Sequence, residues 1–543
     1  MSRRPMPARH FASSPATALA AALVLSLAAT ACSGASGSSG KAASTPRSGG
    51  HLRFAMAADP GCVDPHQATT TDALYGARAF VDSLTDQNPT TGQIVPWIAR
   101  SWQVSSDATQ FTFSLRTDAT FADGTPVDAK AVKANLDAVA ALGAKSMLGA
   151  GYLQGYRSTE VVDRYTAKVT FKKPNEQFLQ ATSTATLGLL APASLKLPAD
   201  KRCTAKLIGS GPFTLDGYTP NTSVELTRRK GYTWGSPLWK HSGAAYLDKL
   251  TLRVVPEAGV RSGSLNSGQV DAIAGVAPQD QETLTGQGLS VLDRPNPGVP
   301  VALSVNTARP LTKDPAVRHA LQTAVDRDEV VQTVLSPSYL PATSALSSST
   351  GAYADNSALL AHDLGRTRRT LDAAGWVPGP DGIRVKNGKK LNLKVILGAN
   401  FGPNQTVLEL IQQQLRKTGI GLTLTLLSLP DYQQARGAGD YDLAWGNGTR
   451  NDPDILRTAF SGKLLNLGRI DDPRLERSLD AQAAEIDPEK RAALVATAQR
   501  RVLEQGYQIP VFEMASVYGI GEKVHGLTLD STSYPQFHDA WLS

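Results

Sequence analysis

Along residues 110–116 apolar and polar positions alternate, with Phe111, Phe113 and Leu115 on one side and Thr112, Ser114 and Arg116 on the other. That is the period of a strand with one face on a core. Asp123-Gly124 then marks a turn, and after Asp128 the spacing becomes helical, with Val132, Leu136 and Val139 on one stripe. The stretch reads strand, turn, helix. The same two periods recur along the chain. Residues 52–57 alternate as a strand, and Leu74, Ala77, Val81 and Leu84 predict a helix over 71–84. Strand patterns follow at 160–163, 166–171, 224–228, 250–255, 301–306 and 391–397, while 187–196 suits an apolar strand or helix. Helical stripes occupy 317–324, 407–417 and 487–506, the last opened by Asp487-Pro488 and stopped by Gly506.

Length and the chain start add to this picture. A chain of 543 residues exceeds what one hydrophobic core serves, so two or more lobes are expected. Arg3, Arg4 and Arg9 precede an apolar run from Ala18 to Ala31, too short and alanine-rich for a membrane span, which reads as an export signal. Ala29-Thr30-Ala31-Cys32 is similar to a bacterial lipobox, which implies lipidation at Cys32. The Ser/Gly-rich stretch 33–50 suits a flexible tether. Residues 1–31 carry those three arginines and no acid, so their removal takes the formal charge from +7 to +4. No basic cluster is interleaved with aromatics, which argues against nucleic acid as a partner. Cys62 and Cys203 are the other cysteines; in an exported chain they suggest one disulfide, two buried thiols being the other reading. The sequence has no Cys-x-x-Cys, Gly-x-Ser-x-Gly or His-Glu-x-x-His, and its eight histidines show no ligand spacing. No catalytic residue, metal site or cofactor is therefore expected.

Several motifs resemble a known family. Pro96-Trp97-Ile98-Ala99-Arg100-Ser101-Trp102, Phe113-Ser114-Leu115-Arg116 and Phe121-Ala122-Asp123-Gly124-Thr125-Pro126 are similar, almost position for position, to motifs of the family-5 extracellular solute-binding proteins of ATP-driven importers, the peptide and nickel group. Ile98 stands for the usual Leu, and Lys130-Ala131 for an acidic pair. Gly209-Ser210-Gly211-Pro212-Phe213, Asp314-Pro315-Ala316-Val317-Arg318 and the helix end Leu371 to Gly375-Trp376 extend the resemblance from about residue 50 to the end.

The resemblance implies an α/β, two-lobed fold of the type II periplasmic-binding-protein kind with an extra inserted domain (cluster C). It divides the chain into a signal (1–31), a lipidated tether (32–50), lobe I (51–81, 208–298 and 515–543), the inserted domain (82–207) and lobe II (299–514). It implies a monomer, anchored by N-terminal lipid to the outer face of the cytoplasmic membrane, that captures a peptide or other small solute for the permease subunits of an ABC importer. The alternatives are a sensor that signals without import and a nickel-chelate binder. Ligand contacts are expected from Trp445, Asn447 and Arg450, from Asn400 and Phe401 at a strand-to-helix junction, and from Tyr75. Peptide-binding relatives carry an Asp that pairs with the α-amino group where Gly448 or Thr449 stands here, with Arg450 beside it. A solute without a free α-amine, bearing an acidic or hydroxyl group, is the resulting expectation.

Overall fold

The computed structural model describes residues 45–543 apart from Thr69, 399–401 and Leu465. Cys32, Asn400 and Phe401, named above as candidates, lie outside the described residues.

A seven-stranded mixed sheet forms the first lobe, in the order Ser290–Pro295, Ala515–Ile520, Ala272–Ala274, His51–Met56, Lys249–Val254, Ser223–Arg228 and Phe213–Thr219. Its central strand shows why the alternation at 52–57 matters. Leu52, Phe54 and Met56 face one core, while Ala55 between them faces another. That second core continues without interruption into the second lobe, through Leu303, Val395 and Trp445.

The second lobe is a six-stranded sheet in the order Leu340–Pro341, Gln508–Glu513, Gly298–Val305, Leu443–Thr449, Asn392–Gly398 and Gly421–Leu427. Helices such as Pro315–Ala324 and Asn404–Arg416 cover it with the apolar stripes read from the sequence.

Between the first strands of the seven-stranded sheet the chain makes a four-stranded antiparallel sheet, in the order Ala99–Val104, Gln110–Leu115, Thr166–Phe171 and Tyr156–Asp163. The strand-turn-helix stretch is its centre. Phe111 and Phe113 pack on Phe178, and the helix Ala129–Leu142 starts where the Asp128 side chain accepts from the Ala131 N–H at 3.0 Å.

Two local expectations change. The stretch 187–196 is neither one strand nor one helix but a turn of 3-10 helix ending at Leu187 and a short helix Pro192–Leu195. The helix expected to reach Leu84 is Thr71–Phe80, with Val81 already extended. Packing explains the early stop. A Cβ at Gly209 would lie 1.9 Å from the Phe80 carbonyl oxygen, and the Gly211 N–H donates to that oxygen at 2.9 Å. Ser210 Oγ accepts from the Asp82 N–H at 2.9 Å. The Gly-Ser-Gly motif thus brings returning backbone against a helix end, and Asp82 turns inward to accept from Tyr232 Oη at 3.0 Å and Trp234 Nε1 at 2.8 Å. Burial pushes the Asp82 carboxyl up to about 7.

Candidate functional site

The strand Leu443–Thr449 delivers Arg450 to a cavity between the two lobes, lined also by Leu148, Tyr152 and residues 183–186 from the chain around the four-stranded sheet. Its path depends on Gly298 opposite. That glycine has φ +117°, and a Cβ there would sit 2.2 Å from the Gly448 carbonyl oxygen. The pairing of the two strands slips between Val299 and Ala302, and the Arg450 N–H then donates to the Pro297 carbonyl at 3.1 Å.

Arg450 is 8% exposed. Its Nη1 donates to Thr458 Oγ1 at 3.0 Å and to Gln177 Oε1 at 3.4 Å, and its guanidinium lies 5.1 Å over the Tyr152 ring. Gly151 leaves room for it, since a Cβ there would be 3.1 Å from Nη2. Among the described residues no carboxylate lies within ion-pair distance of this guanidinium. Every close partner is neutral.

The remaining walls come from distant segments. Arg78, near the end of the first helix, donates from Nη1 to Ser83 Oγ at 2.9 Å and from Nη2 to the Ser183 carbonyl at 2.6 Å. Asp86 accepts from Ser236 and from the Gln87 N–H; burial raises its carboxyl, and Arg78 pulls it back. Asp530 accepts from the Thr532 and Tyr534 N–H groups at 2.8 and 2.9 Å. Tyr152 and Tyr534 supply aromatic surface. The space left for the centres of water molecules is about 40 Å³, enough for a few waters. A peptide-sized ligand therefore needs the lobes to part.

Contacts across the cleft hold this closed arrangement. Asn451 Nδ2 donates to Gln87 Oε1 at 2.6 Å and also to Ser531 Oγ. Arg491 of the second lobe pairs with Asp452 of its own lobe, through Nη1 at 2.9 Å and Nη2 at 2.6 Å, and with Glu176, which precedes the helix Gln177–Ala181 after the four-stranded sheet. The Glu176 N–H donates to the Ala483 carbonyl at 3.0 Å.

Of the candidates read from the sequence, Arg450 lines the cavity and the other described ones do not. Trp445 is 2% exposed, packs 6.1 Å from Phe512 in the second lobe's core, and donates from Nε1 to Asn404 Oδ1 at 2.7 Å. The strand period places it with Leu443 on the core face. Asn447 is exposed to solvent. Tyr75 lies one ring behind the wall, edge-on to Tyr534 at 5.8 Å and to Phe54 at 5.7 Å. Arg78, Asp86, Tyr152 and Asp530 were missed, because a lone polar residue in a helix or loop has no periodic signature. Asp86 and Asp530, from segments far from Gly448, also place carboxylates at the cavity. Cys62 and Cys203 form a disulfide, beside a buried ion pair between Asp64 and Arg202.

The comparisons agree with this architecture. Residues 93–463 match the family described as bacterial extracellular solute-binding proteins, family 5. The glutathione-binding protein GsiB of Escherichia coli K12 is 25% identical over 500 residues, spanning 88% of this chain and 92% of its own. NikA of Brucella suis, solved with Fe(III)-EDTA, superposes with a TM-score of 0.79 at 25% identity, over 91% of this chain and all of that one. DppA of Helicobacter pylori, solved with the peptide STSA, gives 0.73 at 22% identity, over 91% and 98%. These likenesses identify the fold as the type II periplasmic-binding-protein kind. No described helix is long and apolar enough to cross a membrane. The chain belongs to the bacterial extracellular solute-binding proteins, family 5.

Proposed function

We propose that this protein captures an anionic small solute, carboxylated and peptide-like or chelate-like, between its lobes and delivers it to the permease subunits of an ABC importer. The observation that carries the reading is Arg450, a guanidinium buried at the cavity wall with neutral partners only. A buried cation is costly without a counter-charge, and a solute carboxylate supplies one. Two relatives support the chemistry by name: glutathione carries two carboxylates and EDTA four. Binding needs no bond to be made or broken; the solute touches both lobes and so favours the closed state. Lipid attachment at Cys32 would keep the binding lobes beside the importer, and a monomer suffices for this cycle.

Isothermal titration of glutathione, other carboxylated peptides and polycarboxylate chelates tests the proposal. The solute that binds should lose affinity by about 2–5 kcal/mol in Arg450→Gln, the range for removing one partner of a buried charge pair, with partial recovery in Arg450→Lys. Equal affinity in wild type and Arg450→Gln, or a preference for the uncharged amide of the same solute, would overturn it.

A further inference from the structure

Away from the cleft, the loop between the strands Ser223–Arg228 and Lys249–Val254 meets the C-terminal segment, where His241, His538 and Asp539 converge. A ligand atom from each lies within 4.8 Å of the other two, and among the described residues this is the one such group. His538 Nε2 is 2.7 Å from the Gly243 carbonyl oxygen. A carbonyl only accepts, so Nε2 carries the proton and the neutral ring's lone pair is on Nδ1. That lone pair faces Asp539 Oδ1 at 2.9 Å. His241 Nε2 lies 3.5 Å from the same oxygen, is buried, and has no hydrogen-bond partner.

Three atoms able to donate an electron pair thus lie together. A proton on His538 Nδ1 would satisfy a single contact and leave His241 Nε2 unmatched. One metal ion would satisfy all three. Two ligands on a tetrahedral ion bound at 2.0–2.1 Å are about 3.3 Å apart, against 2.9 and 3.5 Å for the two histidine contacts to Asp539 Oδ1. The supporting contacts are those that orient ligands at metal sites. Gly243 fixes the His538 tautomer, the Lys240 N–H holds Asp539 Oδ2 at 2.9 Å, and Trp239 stacks on the His538 ring at 4.2 Å. His241 borders an open surface hollow of about 540 Å³ that Trp97, Arg116 and Trp239 also line.

We infer that His241, His538 and Asp539 form a binding site for a divalent transition-metal ion of the zinc, nickel or copper class. The ion ties the loop containing His241 to the C-terminal segment. Because the folded chain alone brings the three groups together, binding stabilises the fold. The site is separate from the solute cavity, which none of the three lines.

The full chain, purified without a histidine tag and stripped with EDTA, is titrated with Zn²⁺ by calorimetry and with Co²⁺ by visible absorption. Wild type should bind one ion per chain, show the visible bands of nitrogen-ligated Co²⁺, and melt at a higher temperature with zinc. His241→Ala alters a partly exposed ring, and Asp539→Asn is isosteric, so both should melt near the metal-free wild type. Each should lose at least about tenfold in metal affinity. Arg450→Gln should retain the metal in full, which separates this site from any metal carried as cargo in the cleft. Failure of wild type to bind either ion, or undiminished binding in both His241→Ala and Asp539→Asn, would overturn the assignment.

Discussion

The ion pair between Glu176 and Arg491 gives the closed cleft a measurable energy. Arg491 keeps its two bonds to Asp452 within the second lobe when Glu176 is replaced by Ala, so the substitution removes only the arm that crosses the cleft. The side chains of Arg491 and Glu176 are 12% and 19% exposed, so solvent screens the pair in part. A hydrogen bond between charged groups contributes about 1.5–3 kcal/mol; with the discount for exposure, about 1–2 kcal/mol remains. At 1.4 kcal/mol per tenfold, the closed-to-open ratio should fall roughly 5- to 30-fold in Glu176→Ala. Small-angle scattering of the solute-free protein reads the result as a larger radius of gyration. Titration with a bound solute reads it as a weaker Kd, by up to the same factor. The melting temperature should move little, since the substitution leaves untouched the hydrophobic core that runs from one lobe into the other. If radius of gyration and Kd both match wild type, the pair contributes nothing to closure and the reasoning fails.

Two further outcomes follow from buried groups. Burial raises the Asp82 carboxyl from 3.8 to about 7, so its contribution to stability is fully present below pH about 4 and is lost as pH rises through about 7. Relative to Asp82→Asn, wild type should therefore lose up to roughly 4 kcal/mol between pH 4 and 8 in chemical denaturation; parallel pH profiles would contradict this. Reduction of the Cys62–Cys203 bond, or Cys62→Ser with Cys203→Ser, should cost about 2–5 kcal/mol of stability, and an unchanged melting temperature would show that the bond is not a constraint.

Much of the scaffold was legible because period and turn chemistry agree over long stretches. Phe111, Phe113 and Leu115 had to face a core, and Asp128 had to start a helix. The helix after Thr70 ran shorter than its stripe because the stop is imposed by Gly209 and Gly211, some 130 residues later, and no local signal reports it. The cavity was less legible for the same reason. Arg450 was named because the resemblance places the relatives' amino-binding Asp beside it, at Gly448 or Thr449. Arg78 and Tyr152 belong to helices where their types read as surface and core, and only the closed fold sets them on one wall. An aromatic near a strand end serves a pocket wall and a core equally well; Trp445, two residues after Leu443, packs on the core face. The histidines illustrate the limit most clearly. His241 and His538 are distant in sequence, so ligand spacing along the chain could not reveal a group that the fold assembles.

The central claim, that the cleft grips an anionic solute through Arg450, is tested most directly by native mass spectrometry of the protein purified from its own host. Wild type should carry a small acidic molecule that is released on denaturation, and Arg450→Gln, expressed alongside, should arrive without it. Equal retention by the two proteins, or a retained molecule with no anionic group, would contradict the account.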